Sequence, residues 1–171
     1  MLNFKNLFFK INKILNNKIN FLGFISSLLV PVLIIIISIT VILRYFFSLG
    51  FIWMQDLYIW MHASIILLGT VFTLKEDGHV RIDLFYRNAS KKFKIFVNII
   101  GYLFFCLPLS LILILKGFPY FYRSFLQNEG SRESGGLPGI YILKFLIFLL
   151  GIFLFIQIIN FLINVLQKKW R

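Results

Sequence analysis

Few side chains in this chain can take part in acid–base or metal chemistry. The 171 residues include only six acidic residues, two histidines and one cysteine. Both histidines, His62 and His79, lie within residues 53–86, as do four of the six acidic residues, namely Asp56, Glu76, Asp77 and Asp83. Carboxylates and imidazoles can carry a proton or a cation, ligate haem or hold a metal ion. Any chemistry of this chain is therefore sought first in that stretch.

These residues do not complete a known catalytic or metal-binding pattern. Bis-histidine haem ligation needs a second histidine at the depth of His62, and His79 falls in a charged turn. A packed, hydrogen-bonded His62 is therefore the favoured interpretation, and a haem-bearing redox subunit is the alternative. The acids around His79 lack the His-x-x-x-His or paired-cysteine spacing of a metal site, which favours salt bridges to Arg81. Glu129 and Ser131 have no neighbouring base for a hydrolase triad. The sequence predicts neither an enzyme nor a bound cofactor.

Asp56 is the one carboxylate beside an apolar run, where an ionisable residue is a functional candidate by default. Our first interpretation is that Asp56 caps the helix that follows, since a negative charge suits a helix N-terminus. The alternative is a coupling acid that binds a proton or a cation. In that case the chain would be a self-sufficient small transporter or channel, built as an oligomer.

The composition indicates a membrane protein, with 60% hydrophobic and only 14% charged residues. Soluble domains have about a quarter of charged residues. Four apolar runs approach the roughly 20 residues that cross a bilayer core: 21–43, 57–74, 95–115 and about 141–165. The first is longer than the apolar core of a signal peptide, so we expect an uncleaved helix. The third helix is expected to have Ser90 as its N-cap and to end at Lys116-Gly117. The predicted fold is an all-α integral membrane protein with four transmembrane helices.

Two further segments are predicted to lie at the membrane surface. Residues 1–20 are basic, with apolar residues at helical spacing, which fits an amphipathic helix on the inner leaflet or a partly ordered tail. A short interfacial helix is expected around 81–88. The predicted organisation is therefore a basic amphipathic segment, 1–20, followed by a four-helix membrane domain, 21–168.

The net charge of +12 is distributed unevenly. Most lysines and arginines lie in the N-terminal segment, in the loop between the second and third runs, and at the C-terminus. The positive-inside rule places both termini and that loop in the cytoplasm. The excess charge then serves topology and attraction to lipid headgroups rather than binding of nucleic acid.

Polar side chains form stripes on two of the predicted helices. The fourth carries Gln157, Asn160 and Asn164, and the second carries Gln55 and His62. Such residues concentrate where membrane helices contact protein. We expect both stripes to face protein, within the bundle or in another subunit.

Several short motifs follow one another along the chain. They are Trp53-Met54-Gln55-Asp56-Leu57, then Asp77-Gly78-His79-Val80-Arg81-Ile82-Asp83, then Glu129-Gly130-Ser131, then Gly135-Gly136-Leu137-Pro138 ahead of Lys144, and finally Gln157 in the last apolar run. In this order, over roughly residues 20–168, the chain resembles the small membrane subunit (DctQ type) of tripartite ATP-independent periplasmic (TRAP) transporters. The first motif is similar to the family's Trp-x-(Gln/Glu)-(Glu/Asp)-Leu, whose usual acid is glutamate rather than aspartate. The second is similar to its His-Val-Arg-Val-Asp.

The resemblance implies a scaffolding role in the bacterial inner membrane. A subunit of this kind pairs with a large elevator-type permease, which carries the substrate and sodium sites. A periplasmic binding protein delivers the substrate, usually an organic acid, and a sodium gradient drives uptake. The candidate structural or partner-contacting residues are Gln55, Asp56, His62, His79, Arg81, Asp83, Glu129, Ser131, Pro138, Lys144, Gln157, Asn160 and Asn164.

Overall fold

The computed structural model describes the backbone of residues 2–76, 78 and 89–169, and the side chains of 16–76, 78 and 89–165. This part of the chain is helical, with no strand. Helix α1 is Leu2–Phe46, α2 is Ile52–Lys75, α3 is Lys91–Leu126, and α4 is Tyr141–Lys169. Within the described residues, four helices are long and apolar enough to cross a membrane, which confirms the predicted spans. The chain is a multi-pass membrane protein.

The four helices run up and down, so their ends gather at two opposite ends of the bundle. The first end, which we call the loop end, holds the start of α2 and the loop that joins α3 to α4, residues 127–140 (the α3–α4 loop). The other, which we call the basic end, holds the end of α2 and the start of α3, with Lys75, Lys91 and Lys92.

Helix α1 has no break at the predicted boundary after residue 20. The helix begins at Leu2 and continues to Phe46, through Pro31. Residues 2–20 are therefore helical, whereas their position on the membrane surface stays a prediction. The predicted interfacial helix around 81–88 lies outside the described residues.

Helix α3 begins as predicted and ends later than predicted. The side chain of Ser90 accepts a hydrogen bond from the backbone N–H of Phe93 at 3.3 Å, which confirms it as the N-cap. The sequence predicted an end at Lys116-Gly117, and this was wrong, because the helix continues to Leu126 through Pro119. A one-turn π-helical segment, Gly101–Cys106, lies within it.

Packing against α4 explains why α3 continues as a helix through Gly117 and Pro119. Ser110, Gly117 and Ser124 are buried and recur every seven residues, so they form a narrow seam. Beyond the seam, aromatic rings meet across the two helices, with Phe121 and Phe145 at 5.0 Å between centroids. Tertiary packing of this kind outweighs weak local helix propensity.

Gly151 allows the closest approach of α4 to α3. A Cβ atom at this position would lie 2.8 Å from the Cβ of Leu113 and 3.0 Å from the backbone nitrogen of Ile114. At the crossing of α1 and α2, Gly23 fits in the same way beneath the ring of Phe72. Small residues thus set both close helix crossings, as is common in membranes.

Gly151→Leu is therefore expected to destabilise the bundle by about 1–3 kcal/mol, the usual cost of overpacking a filled interface. The measurement is thermal unfolding of the purified chain in detergent. Gly101→Leu is the matched control, because nothing lies within 4 Å of a Cβ there. Equal effects of the two changes would show that the α3–α4 crossing is looser than described.

Candidate functional site

Asp56 does not cap α2, so that interpretation was wrong. The cap position is Phe51, which makes no side-chain cap bond, and Asp56 lies one turn further along α2. Its Oδ2 atom accepts a hydrogen bond from the backbone N–H of Leu137 at 2.9 Å, across 81 residues of sequence. The carboxylate therefore attaches the α3–α4 loop to the start of α2.

Gly136 makes this attachment possible. A Cβ atom added at Gly136 would overlap both the carboxylate of Asp56 and the side chain of Ser131. The loop is also bonded within itself, since the N–H of Ser131 donates to the carbonyl of Leu137 at 2.8 Å. Pro138 lies against Gly130 in the same turn. Asp56, Ser131 and Pro138, which the sequence marked one by one, thus belong to a single arrangement.

An ion pair between a buried lysine and a partly exposed glutamate joins the two ends of the α3–α4 loop. Lys144, which is only 7% exposed, bonds through its Nζ atom to Oε2 of Glu129 at 2.5 Å. The same ammonium group lies 4.2 Å from the centre of the Tyr120 ring, a cation–π contact. The hydrogen bond from Lys144 is the main cause that lowers the pKa of Glu129, so the carboxylate stays charged. A buried charge of this kind needs its partner, because an unpaired one is strongly unfavourable.

The backbone of Glu129 also closes the loop. Its N–H donates to the carbonyl of Ser124 at 3.0 Å, and its carbonyl accepts from the N–H of Ile140 at 3.0 Å. Gly135 and Gly139 have φ values of 82° and 90°, a backbone conformation that favours glycine.

Asp56, Glu129 and Lys144 with their partners form what we call the loop-end cluster. Neither Tyr120 nor Gly136 was among the candidate residues predicted from the sequence. Gly136 lies in the Gly135-Gly136-Leu137-Pro138 motif, but the motif did not indicate its contact with Asp56.

The amide stripe of α4 lies at the basic end, where it lines a pocket of about 370 Å³. Asn160 is buried, Gln157 is half-buried and Asn164 is exposed. All four helices contribute to the wall, whose residues are Asn16, Leu74, Lys75, Asn98, Tyr102, Gln157, Asn160, Phe161 and Asn164. The prediction that this stripe faces protein is thus confirmed for Asn160, which lies within the bundle, and the amides from α1 and α3 were not predicted.

The second predicted stripe is less buried. His62 is exposed and has no hydrogen-bond partner among the described residues, so the packed, bonded histidine was wrong for this chain on its own. Gln55 is half-buried near the loop end. His79, Arg81 and Asp83 lie outside the described residues, and so do their predicted salt bridges.

The described part of the chain contains no group of three histidine, cysteine or acidic side chains that could hold a metal ion. Its polar side chains instead hold helices and loop together, through the bond of Asp56 and the ion pair of Lys144. The fold and these contacts define a helical, multi-pass membrane protein whose α3–α4 loop is tied down by charged groups.

The particular family follows from a comparison with known proteins. The sequence profile of the tripartite ATP-independent periplasmic transporters, DctQ component, matches residues 33–168, about four fifths of the chain. The chain belongs to this family, a family of transporter components rather than of enzymes. A search of curated proteins finds no match.

Proposed function

We propose that this chain is the small permease subunit of a TRAP transporter, and that it enlarges the static membrane scaffold of a large elevator-type permease. The proposal rests on the family match over residues 33–168. In this assignment the large permease carries the substrate and sodium sites, and a periplasmic protein delivers an organic acid or a related solute. The chain itself needs no cofactor.

One structural observation favours a scaffold over a self-sufficient transporter. Asp56, the best candidate for a coupling acid, is occupied in a bond to the backbone of Leu137. A coupling carboxylate must exchange its proton or cation during each cycle, and exchange at Asp56 would release the α3–α4 loop. The ion pair of Lys144 and Glu129 is equally a structural contact.

A second observation concerns the surface that would meet the partner. Large apolar side chains of α1 remain uncovered by the other helices, such as Phe24 at 62% exposure and Ile34 at 59%. In the most apolar stretch of α1, only 6% of the residues are buried within the chain. Faces of this kind suit lipid tails and the apolar surface of another membrane protein alike, so they can anchor a large partner within the bilayer.

The test of this proposal is co-purification. When the tagged chain is expressed with the large permease encoded for the same transporter, we expect a stable complex in mild detergent. Sodium-dependent uptake should require both chains. A chain that purifies as a homo-oligomer and transports solute alone would contradict the scaffold role and support the coupling-acid alternative.

The proposal includes an orientation of the chain in the bacterial inner membrane. The excess of lysine and arginine at the basic end predicts that both termini and the loop between α2 and α3 are cytoplasmic. The loop end, with Glu129 and Lys144, then faces the periplasm. Reporter fusions after Arg171 and near Arg87 are expected to be active only as cytoplasmic reporters. Alkaline phosphatase activity at either position would reject this topology.

A further inference from the structure

The polar pocket at the basic end has the size and the lining of a ligand site. Its volume of about 370 Å³ falls in the range of about 300–1,000 Å³ that is usual for small-molecule pockets. Five amide side chains, one ammonium group and one phenol line it, and no carboxylate does so among the described residues. The lining is therefore rich in N–H groups and carries a single formal charge, which is positive.

Two polar atoms in the wall of this pocket lack partners. Oε1 of Gln157 and Nδ2 of Asn160 are buried and have no hydrogen bond within the described part of the chain. Asn160 is only 6% exposed, and bulk water does not reach its unbonded Nδ2 atom. Because the terminal amide torsion is soft, a small rotation can direct the N–H group of Asn160 to a ligand. Buried amides of this kind indicate a polar occupant.

Lys75 supplies the charge. Its Nζ atom donates to Oδ1 of Asn20 and, at 2.9 Å, to Oε1 of Glu76. An ammonium group has three N–H donors, so one is left for the pocket among the described contacts. Glu76 does not line the pocket and is largely exposed to solvent. The pocket side of Lys75 is therefore suited to an anion.

The position of the pocket along the helices points to the membrane–water boundary. Asn16 lies just before the apolar run that starts at residue 21, Lys75 is the last residue of α2, and Asn164 lies at the end of the apolar run of about 141–165. Lipid phosphates lie at this depth. Leu74 and the stacked rings of Tyr102 and Phe161, at 4.1 Å between centroids, make the rest of the wall apolar. A ligand with a phosphate end and acyl chains would match both parts of this wall.

We propose that this pocket, which we call the amide pocket, binds the phosphate group of a phospholipid from the adjacent leaflet. Lys75 pairs with the phosphate, Nδ2 of Asn160 donates to a phosphate oxygen, and Oε1 of Gln157 accepts from a hydroxyl group of the lipid headgroup. The acyl chains leave along the apolar surface of the bundle. Binding uses residues of all four helices, so the lipid fastens the basic end much as the charged contacts fasten the loop end. It does not require the partner permease.

The test uses the purified full-length chain and three probes. These are dioleoylphosphatidylglycerol, dioleoylglycerol with the same chains and no phosphate, and inorganic phosphate. We expect native mass spectrometry to show the phospholipid retained on the folded chain, and we expect only this probe to raise the melting temperature. Retention of dioleoylglycerol to the same extent would overturn the proposal, because the phosphate would then contribute nothing. Protection by inorganic phosphate alone would show a free-anion site and overturn the lipid assignment.

Variants locate the site. Lys75→Met and the nearly isosteric Asn160→Asp, which opposes the phosphate charge, are each expected to lower retention about tenfold, the effect of one lost charge-assisted contact. Lys92→Met and Asn17→Leu are matched controls, exposed at the same end and outside the pocket wall, and should retain the lipid. Lys75→Arg should also retain it. Unchanged retention in folded Lys75→Met and Asn160→Asp protein would overturn the proposal. The same would follow if these variants kept the lipid and lost only the large permease, since the occupant would then be a protein side chain.

Discussion

Gly136→Leu is expected to detach the α3–α4 loop from α2 and to lower the stability of the chain by several kcal/mol. A side chain at this position would overlap Asp56 and Ser131. The loop would have to move, and the hydrogen bond between Asp56 and Leu137 would break. A hydrogen bond to a charged group contributes about 1.5–3 kcal/mol, and overpacking adds about 1–3 kcal/mol.

The measurement combines thermal unfolding with limited proteolysis of the α3–α4 loop. Cleavage within residues 127–140 should become rapid in Gly136→Leu and stay slow in the unchanged chain. Gly50→Leu is the control, because it places the same side chain in the exposed α1–α2 connection, where nothing lies within 4 Å of a Cβ. If the loop of Gly136→Leu stays resistant to protease, then Gly136 is not the contact that limits its position.

The membrane spans could be predicted from the sequence because hydropathy is a local property. Each apolar run gives one helix, and the N-cap at Ser90 could also be identified locally. The end of α3 could not. Lys116, Gly117 and Pro119 are local signals of a helix end, and they are overridden by contacts between Gly117 and Phe148, which lie far apart in the sequence. Tertiary packing often overrides propensity in this way.

The loop-end cluster shows the same limit. The motifs around Asp56 and around Leu137 were each recognised, yet their mutual hydrogen bond depends on how α2 and the α3–α4 loop meet in space. A charge at the start of a helix is most simply read as a cap, and that local interpretation failed here. The ion pair of Glu129 and Lys144 spans only 15 residues, but it too needs the loop to fold back.

The amide stripe on α4 was a correct signal with an incomplete interpretation. The cost of amides in lipid indicated that Asn160 would face protein, within the bundle or in another subunit, and it is buried within the bundle. The sequence could not show that Asn16 and Asn98 come from other helices to the same place, because no pattern along the chain connects them. It therefore predicted a contact surface where the structure contains a pocket.

Lys144→Glu is expected to have the largest effect of any single charge change in the described part of the chain. It would place a second carboxylate beside Glu129 at a position that is only 7% exposed, and it would remove the contact with Tyr120. Like charges at short range repel strongly where water is excluded. We expect most of the variant to be degraded in cells, and the remainder not to assemble with a large permease.

The exchanged pair, Glu129→Lys with Lys144→Glu, separates electrostatics from geometry. It restores opposite charges, so accumulation should recover in part, whereas the contact with Tyr120 stays lost. Lys144→Met is the second comparison, because it keeps the apolar stem and removes the charge. No recovery in the exchanged pair would show that the shape of the loop, rather than its charge, requires Lys144.

Acid titration gives an independent check of the same contact. Because Lys144 lowers the pKa of Glu129, the folded carboxylate remains ionised below its ordinary value of 4.5. The stability that it contributes is fully present above that value and is lost as the pH falls through the lowered pKa. The melting temperature of the unchanged chain should therefore fall across this acidic pH range. The melting temperature of Lys144→Met should lack this part of the fall. If both proteins lose stability over the same pH range and to the same extent, then Glu129 does not gain its stability from Lys144.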